Sequence, residues 1–164
     1  MKSITLKELI GSIIENARYI YIAANEHGLQ EFHSYFMLEQ GAVIEFPVYD
    51  DECLMELSPE NINYMKQRFN NGNDLQKIEK AFIEGQKIED IYFIYENGEI
   101  DFSNRAYIKL SNNTFITEQN FGPIGVTEID LLIFTELEWI ERVKRLQQNV
   151  KSYLKDVVSI SNIS

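Results

Sequence analysis

The chain has 164 residues, 45% of them hydrophobic and 25% charged, which fits one domain, residues 1–164, that buries about 70% of its unfolded surface and argues against global disorder. A formal net charge of −11 argues against nucleic acid as a partner, and a single cysteine, Cys53, rules out an intrachain disulfide and fits a reducing cytoplasm.

The N-terminal stretch MKSITLKELIGSIIENAR places Leu6, Leu9, Ile10, Ile13, Ile14 and Ala17 at the spacing of one helical face. Thr5 and Glu8 make a capping box, so a helix is expected over 5–17. Lys7, Glu8 and Glu15 interrupt what would be the apolar region of a signal peptide. Residues 19–24, YIYIAA, read as a short strand. The segment 29–40 fits either a helix closed by Gly41 or an aromatic-rich strand, and 42–49 reads as a strand kept at an edge or bulge by Pro47.

Ser58 and Pro59 open a helix closed by Asn70 to Gly72, and Asp74 to Gly85 reads as a second, so the two are expected to form a helical hairpin. Asn97-Gly98 then signals a β-hairpin, and 106–118 repeats the design with Ser111 to Asn113 as its turn. VTEIDLLIF, 126–134, reads as a strand buried on both faces. Thr135 and Glu138 make another capping box, with apolar spacing that predicts a helix from Glu136 to about Val158, roughly 35 Å long. The expected fold is therefore α+β: a mainly antiparallel sheet packed with an N-terminal helix, a central helical hairpin and a long C-terminal helix. No window approaches the roughly 20 apolar residues of a membrane span, so no membrane partner is expected.

The charge is unevenly spread. Between Arg18 and Lys66 nine acids stand without a lysine or arginine, and from Glu84 to Glu141 twelve acids face only Lys87, Arg105 and Lys109, a net of −9. The last helix reverses sign through Arg142, Lys144, Arg145, Lys151 and Lys155, an arrangement that also complements a helix dipole.

No phosphate-binding glycine loop, nucleophile elbow, H-E-x-x-H pair or C-x-x-C motif occurs, and no cofactor is expected. Asp50, Asp51, Glu52 and Glu56, with His27 and His33, are the only candidates for ligands to a hard divalent ion, and solvated acids on a loop explain them more simply. The same carboxylates oppose thiolate formation at Cys53. The expected function is that of an acidic binding protein, an immunity-type inhibitor of a basic toxin or nuclease. Its binding face would combine Glu45, Tyr49, Asp50, Asp51, Glu52 and Glu56 with Tyr92 and Tyr95. The alternatives are metal-assisted hydrolysis from a dispersed carboxylate and histidine site, or self-association into a homo-oligomer through the last helix.

Overall fold

A computed structural model describes residues 4–23, 26, 28–45, 56–72, 74–78, 82–100, 106–119, 121–123, 130–148 and 155–162. In chain order, β1 (Ile4–Thr5) runs into a 3-10 turn (Leu6–Leu9), followed by β2 (Ile14–Ile22), β3 (Leu29–Leu38), β4 (Val43–Glu45) and β5 (Glu56–Leu57). Helix α1 (Pro59–Asn71) precedes β6 (Gln76–Lys77), β7 (Ile88–Glu96), β8 (Glu99–Ile100), β9 (Tyr107–Leu110) and β10 (Phe115–Gln119). Then come β11 (Phe121–Pro123), β12 (Asp130–Phe134), helix α2 (Glu136–Gln148) and β13 (Lys155–Ser159).

The strands build two antiparallel sheets. One has the order β11-β3-β2-β6 with β4 beside β3, the other β12-β10-β9-β7-β13 with β8 beside β7, and β1 pairs separately with β5. Their inner faces meet in one apolar core. Ala17, Phe32, Phe36 and Ile44 come from the first sheet, and Ile91, Phe93, Ile108, Leu110, Ile116 and Leu131 from the second. Each outer face carries a helix: α1 lies over the first sheet through Met65 and Phe69 against Tyr35 and Val43, and α2 over the second through Trp139. The order of layers is helix, sheet, sheet, helix.

The sheets are joined at two corners, as expected where strands switch between packed sheets. Only one residue separates β10 in the second sheet from β11 in the first. At that corner Glu118, 2% exposed, accepts the backbone N–H of Ser34 at 3.1 Å and also the Ser34 hydroxyl. On the edge of β3 away from β2, β11 pairs with residues 29–31 and β4 with residues 35–37, so in the gap between them Glu118 supplies the acceptor for the Ser34 amide. At the other corner Ile13 bridges Lys87, the Ile14 amide donates to the Gln86 carbonyl at 2.9 Å, and the Gly85 amide donates to the Ile14 carbonyl at 2.8 Å.

Antiparallel pairing, the helix opened by Ser58 and Pro59, and both hairpins agree with the sequence. The Ser58 hydroxyl accepts the Asn61 amide at 3.1 Å, and Asn97 and Gly98 hold φ of 51° and 84°. The left-handed conformation of both turn residues suits a tight hairpin between right-twisted strands. Segment 29–40 resolves as strand β3.

The α+β expectation is corrected: the described residues are mostly strand, with two α-helices. The N-terminal helix is absent, because the Thr5–Glu8 capping box closes only the four-residue 3-10 turn and the chain from Ile14 is strand. The helical hairpin is absent too, since Gln76 and Lys77 pair with Tyr19 and Arg18 and Gly85 ends a turn. The long C-terminal helix stops at Gln148, after 13 residues, and Lys155–Ser159 joins the sheet against β7. Of the expected doubly buried strand 126–134, Asp130–Phe134 is described as β12, with Leu131 buried and its neighbours partly exposed. Among the described residues no helix is long and apolar enough to cross a membrane.

Candidate functional site

Alternation along β3 decides what faces outward. Phe32, Ser34, Phe36 and Leu38 point into the core, which leaves Glu31, His33, Tyr35 and Met37 on the outer face. The β4 register sets Glu45 beside Tyr35 on that same face. Helix α1 covers the Tyr35 and Val43 end, and the Glu31 end stays open to solvent.

At this open end His33 stands between two carboxylates. Its Nε2 is 3.4 Å from Glu31 Oε2 and its Nδ1 3.6 Å from Glu45 Oε1. Side-chain exposure of 45% for Glu31 and 38% for Glu45, against 28% for His33, makes the carboxylates the accessible groups. Partial burial pushes the Glu45 carboxyl above the usual range, and the neighbouring imidazole opposes that shift. Ile22, paired with Glu31 on the adjacent strand, is 43% exposed and gives the patch an apolar margin.

The rim under α1 is also polar. Arg68 donates to Asp74 through both terminal nitrogens, at 2.7 and 2.9 Å. This bidentate contact holds the Asp74 carboxyl below its ordinary range and raises the guanidinium. Arg18 donates to the Phe69 carbonyl at 2.6 Å, with its guanidinium 4.3 Å from the centre of the Phe69 ring. Burial, and secondarily the charge of Glu45, push the Tyr35 hydroxyl upward in pKa while Arg68 opposes. Tyr35 therefore remains a neutral phenol beside Glu45. Beside Arg68, a shallow cleft of about 300 Å³ is lined by Tyr64, Gln67, Arg68, Asn71 and Gly72.

Chemically, two half-exposed carboxylates on one face can receive a cation, with His33, 3.4 and 3.6 Å from them, between. Among the described residues no group of three or more His, Cys, Asp and Glu side chains is arranged to hold a metal ion.

Of the residues expected on the binding face, Glu45 belongs to this cluster. Tyr49, Asp50, Asp51 and Glu52 lie outside the described residues, as do His27 and Cys53. Glu56 is placed by its backbone, paired with Thr5 in β5. Tyr92 and Tyr95 belong to the other sheet: Tyr92 packs on Trp139 and Phe115 under α2, while Tyr95 packs against the central core. Burial, and then the charge of Asp90, raise the Tyr92 hydroxyl.

Sequence reasoning missed Glu31 and His33 as a pair with Glu45. The signal was available once 29–40 is read as a strand, because residues two apart share a face. The Arg68–Asp74 and Arg18–Phe69 contacts depend on how α1 packs and left no mark in local spacing. Compared with family models, with curated proteins and with solved structures, the chain finds no match, so its functional assignment rests on geometry and charge.

Proposed function

We propose that this chain is an acidic binding protein for a basic protein partner, an immunity-type inhibitor of a basic toxin or nuclease acting in the cytoplasm. The observation that carries the reading is the pair Glu31 and Glu45, both half-exposed on one outer sheet face with His33 between them. They fall in the stretch between Arg18 and Lys66 that holds nine acids and no lysine or arginine. A lysine or arginine of the partner would enter beside His33 and meet both carboxylates. Exposed Ile22 and Tyr64 offer apolar contact near this face. Long-range attraction to such a face raises the association rate and weakens with salt.

The test is capture of partners by the purified chain at low and high salt, repeated with the double variant Glu31→Gln/Glu45→Gln. The reading expects a basic protein whose association slows with salt and with the double variant, and whose activity falls when it is bound. An acidic partner, or a partner indifferent to both changes, would refute it. A dispersed hydrolytic site is the second reading, and the His33 cluster beside neutral Tyr35 is the arrangement in its favour. Turnover lost in His33→Gln but retained at high salt would select it.

A further inference from the structure

On the opposite side of the molecule, where β12 ends and α2 begins, a cleft of about 340 Å³ is lined by Phe134, Leu137, Glu138, Glu141, Arg142 and Arg145. We propose that this cleft binds a small organic anion, a carboxylate or phosphate group joined to an apolar body.

Arg142 is the best-placed anchor. Its Nε donates to the Tyr107 hydroxyl at 3.2 Å, and its guanidinium lies 5.7 Å from the centre of the Phe134 ring. Those two contacts hold the base of the fork and leave its terminal nitrogens for a ligand. Arg145, one helical turn on, lines the same cleft. Among the described residues Arg142 and Arg145, like Arg18, Lys66 and Lys87, pair with no carboxylate, and these two arginines line one cleft together. In a chain of net charge −11, two arginines without acidic partners in one cleft point to an anion brought from outside.

The two acids of the lining are already engaged. Glu138 accepts the Thr135 amide at 3.1 Å as part of the α2 cap, and Glu141 is 3.7 Å from Lys144. Their negative charge still weakens attraction for a bare ion, so the ligand needs apolar contact as well. Phe134 supplies a ring face, and Leu137, 77% exposed, supplies an aliphatic wall. The volume lies at the small end of ligand sites, which suits a single ring bearing one acidic group.

The experiment titrates the full chain with benzoate, phenyl phosphate, inorganic phosphate and benzyl alcohol, followed by amide and side-chain shifts of Phe134, Leu137 and Arg145. Benzoate or phenyl phosphate should bind saturably, the stronger of the two identifying the acid group. Arg145→Gln, at an exposed position, should weaken binding about tenfold or more, the loss expected for a hydrogen bond to a charged group. Arg142→Lys keeps the charge, removes the planar fork and should also weaken binding. Equal binding of benzyl alcohol, shifts with inorganic phosphate that survive Arg145→Gln, or a dimer that covers Leu137 and admits no ligand would each overturn the proposal.

Discussion

Helices α1 and α2 are both 13 residues long and each covers the outer face of one sheet, yet they hold to it by different means. Under α2 the seam is a stack of rings with one cation, Arg142, at its edge: Trp139 lies 4.7 Å from Phe115, 4.8 Å from Tyr107 and 5.3 Å from Tyr92, centre to centre. Under α1 a smaller apolar patch of Met65 and Phe69 is ringed by Arg18, Arg68, Asp74 and Tyr35. An aromatic seam owes its strength to buried area and ring geometry, which salt and pH hardly touch. A seam edged with charges responds to both, and it leaves ionised groups near solvent where a partner can reach them. The proposed docking face lies beside the second kind.

The largest effect that would sharpen this contrast is Trp139→Ala. Removing the ring at the centre of the stack should cost about 3–5 kcal/mol in denaturant unfolding, at any pH where the protein is folded. A cost below about 1 kcal/mol would mean that the stack contributes little. Next, Arg18→Met keeps an unbranched apolar side chain and removes both the donor to the Phe69 carbonyl and the guanidinium over the Phe69 ring. It should cost about 1.5–3 kcal/mol, measured the same way, and if it costs nothing the polar rim is ornamental to α1. Thr135→Ala should cost about 1 kcal/mol, because the hydroxyl accepts the Glu138 amide at 3.2 Å at the start of α2, with no change in pH response.

The smallest effect carries the clearest sign. Asp74 is depressed by Arg68, so its stabilisation is present above about pH 4 and lost as pH falls through its lowered value. Glu45 is raised by burial, so its contribution is full below about pH 4.3 and lost as pH rises through its raised value. Asp74→Asn should therefore flatten the acid limb of a stability profile, and Glu45→Gln should flatten a decline in the opposite direction. Equal slopes in the two variants would break the comparison.

The fold was readable only where local chemistry decides it. Ser58-Pro59, Asn97-Gly98 and the Thr135–Glu138 box each mark a real boundary, because a cap or a left-handed turn needs only its own few residues. The N-terminal segment misled for a physical reason. Ile14 and Ala17 are both core residues of β2, three apart, because the strand's register shifts between Ile14 and Asn16. A bulge thus imitates the i, i+3 spacing of a helix. Gly11, at φ +93°, lies just beyond the 3-10 turn that Thr5 and Glu8 cap, in a conformation no α-helix continues. Likewise the residues after Gln148 kept a helical spacing, yet Lys155–Ser159 pairs with β7, some sixty residues earlier in the chain. Glu45 was legible as a candidate through its acidic neighbourhood and His33 as a possible ligand, while their grouping with Glu31 stayed hidden until residues 29–38 were known to be a strand.

The passage of one strand from the second sheet into the first, with Glu118 clasping Ser34 at the bend, bears on how the molecule opens. Neither ladder can part at that bend without loosening the other, so the amides of β3 and β9 should exchange with solvent together, in a single global event.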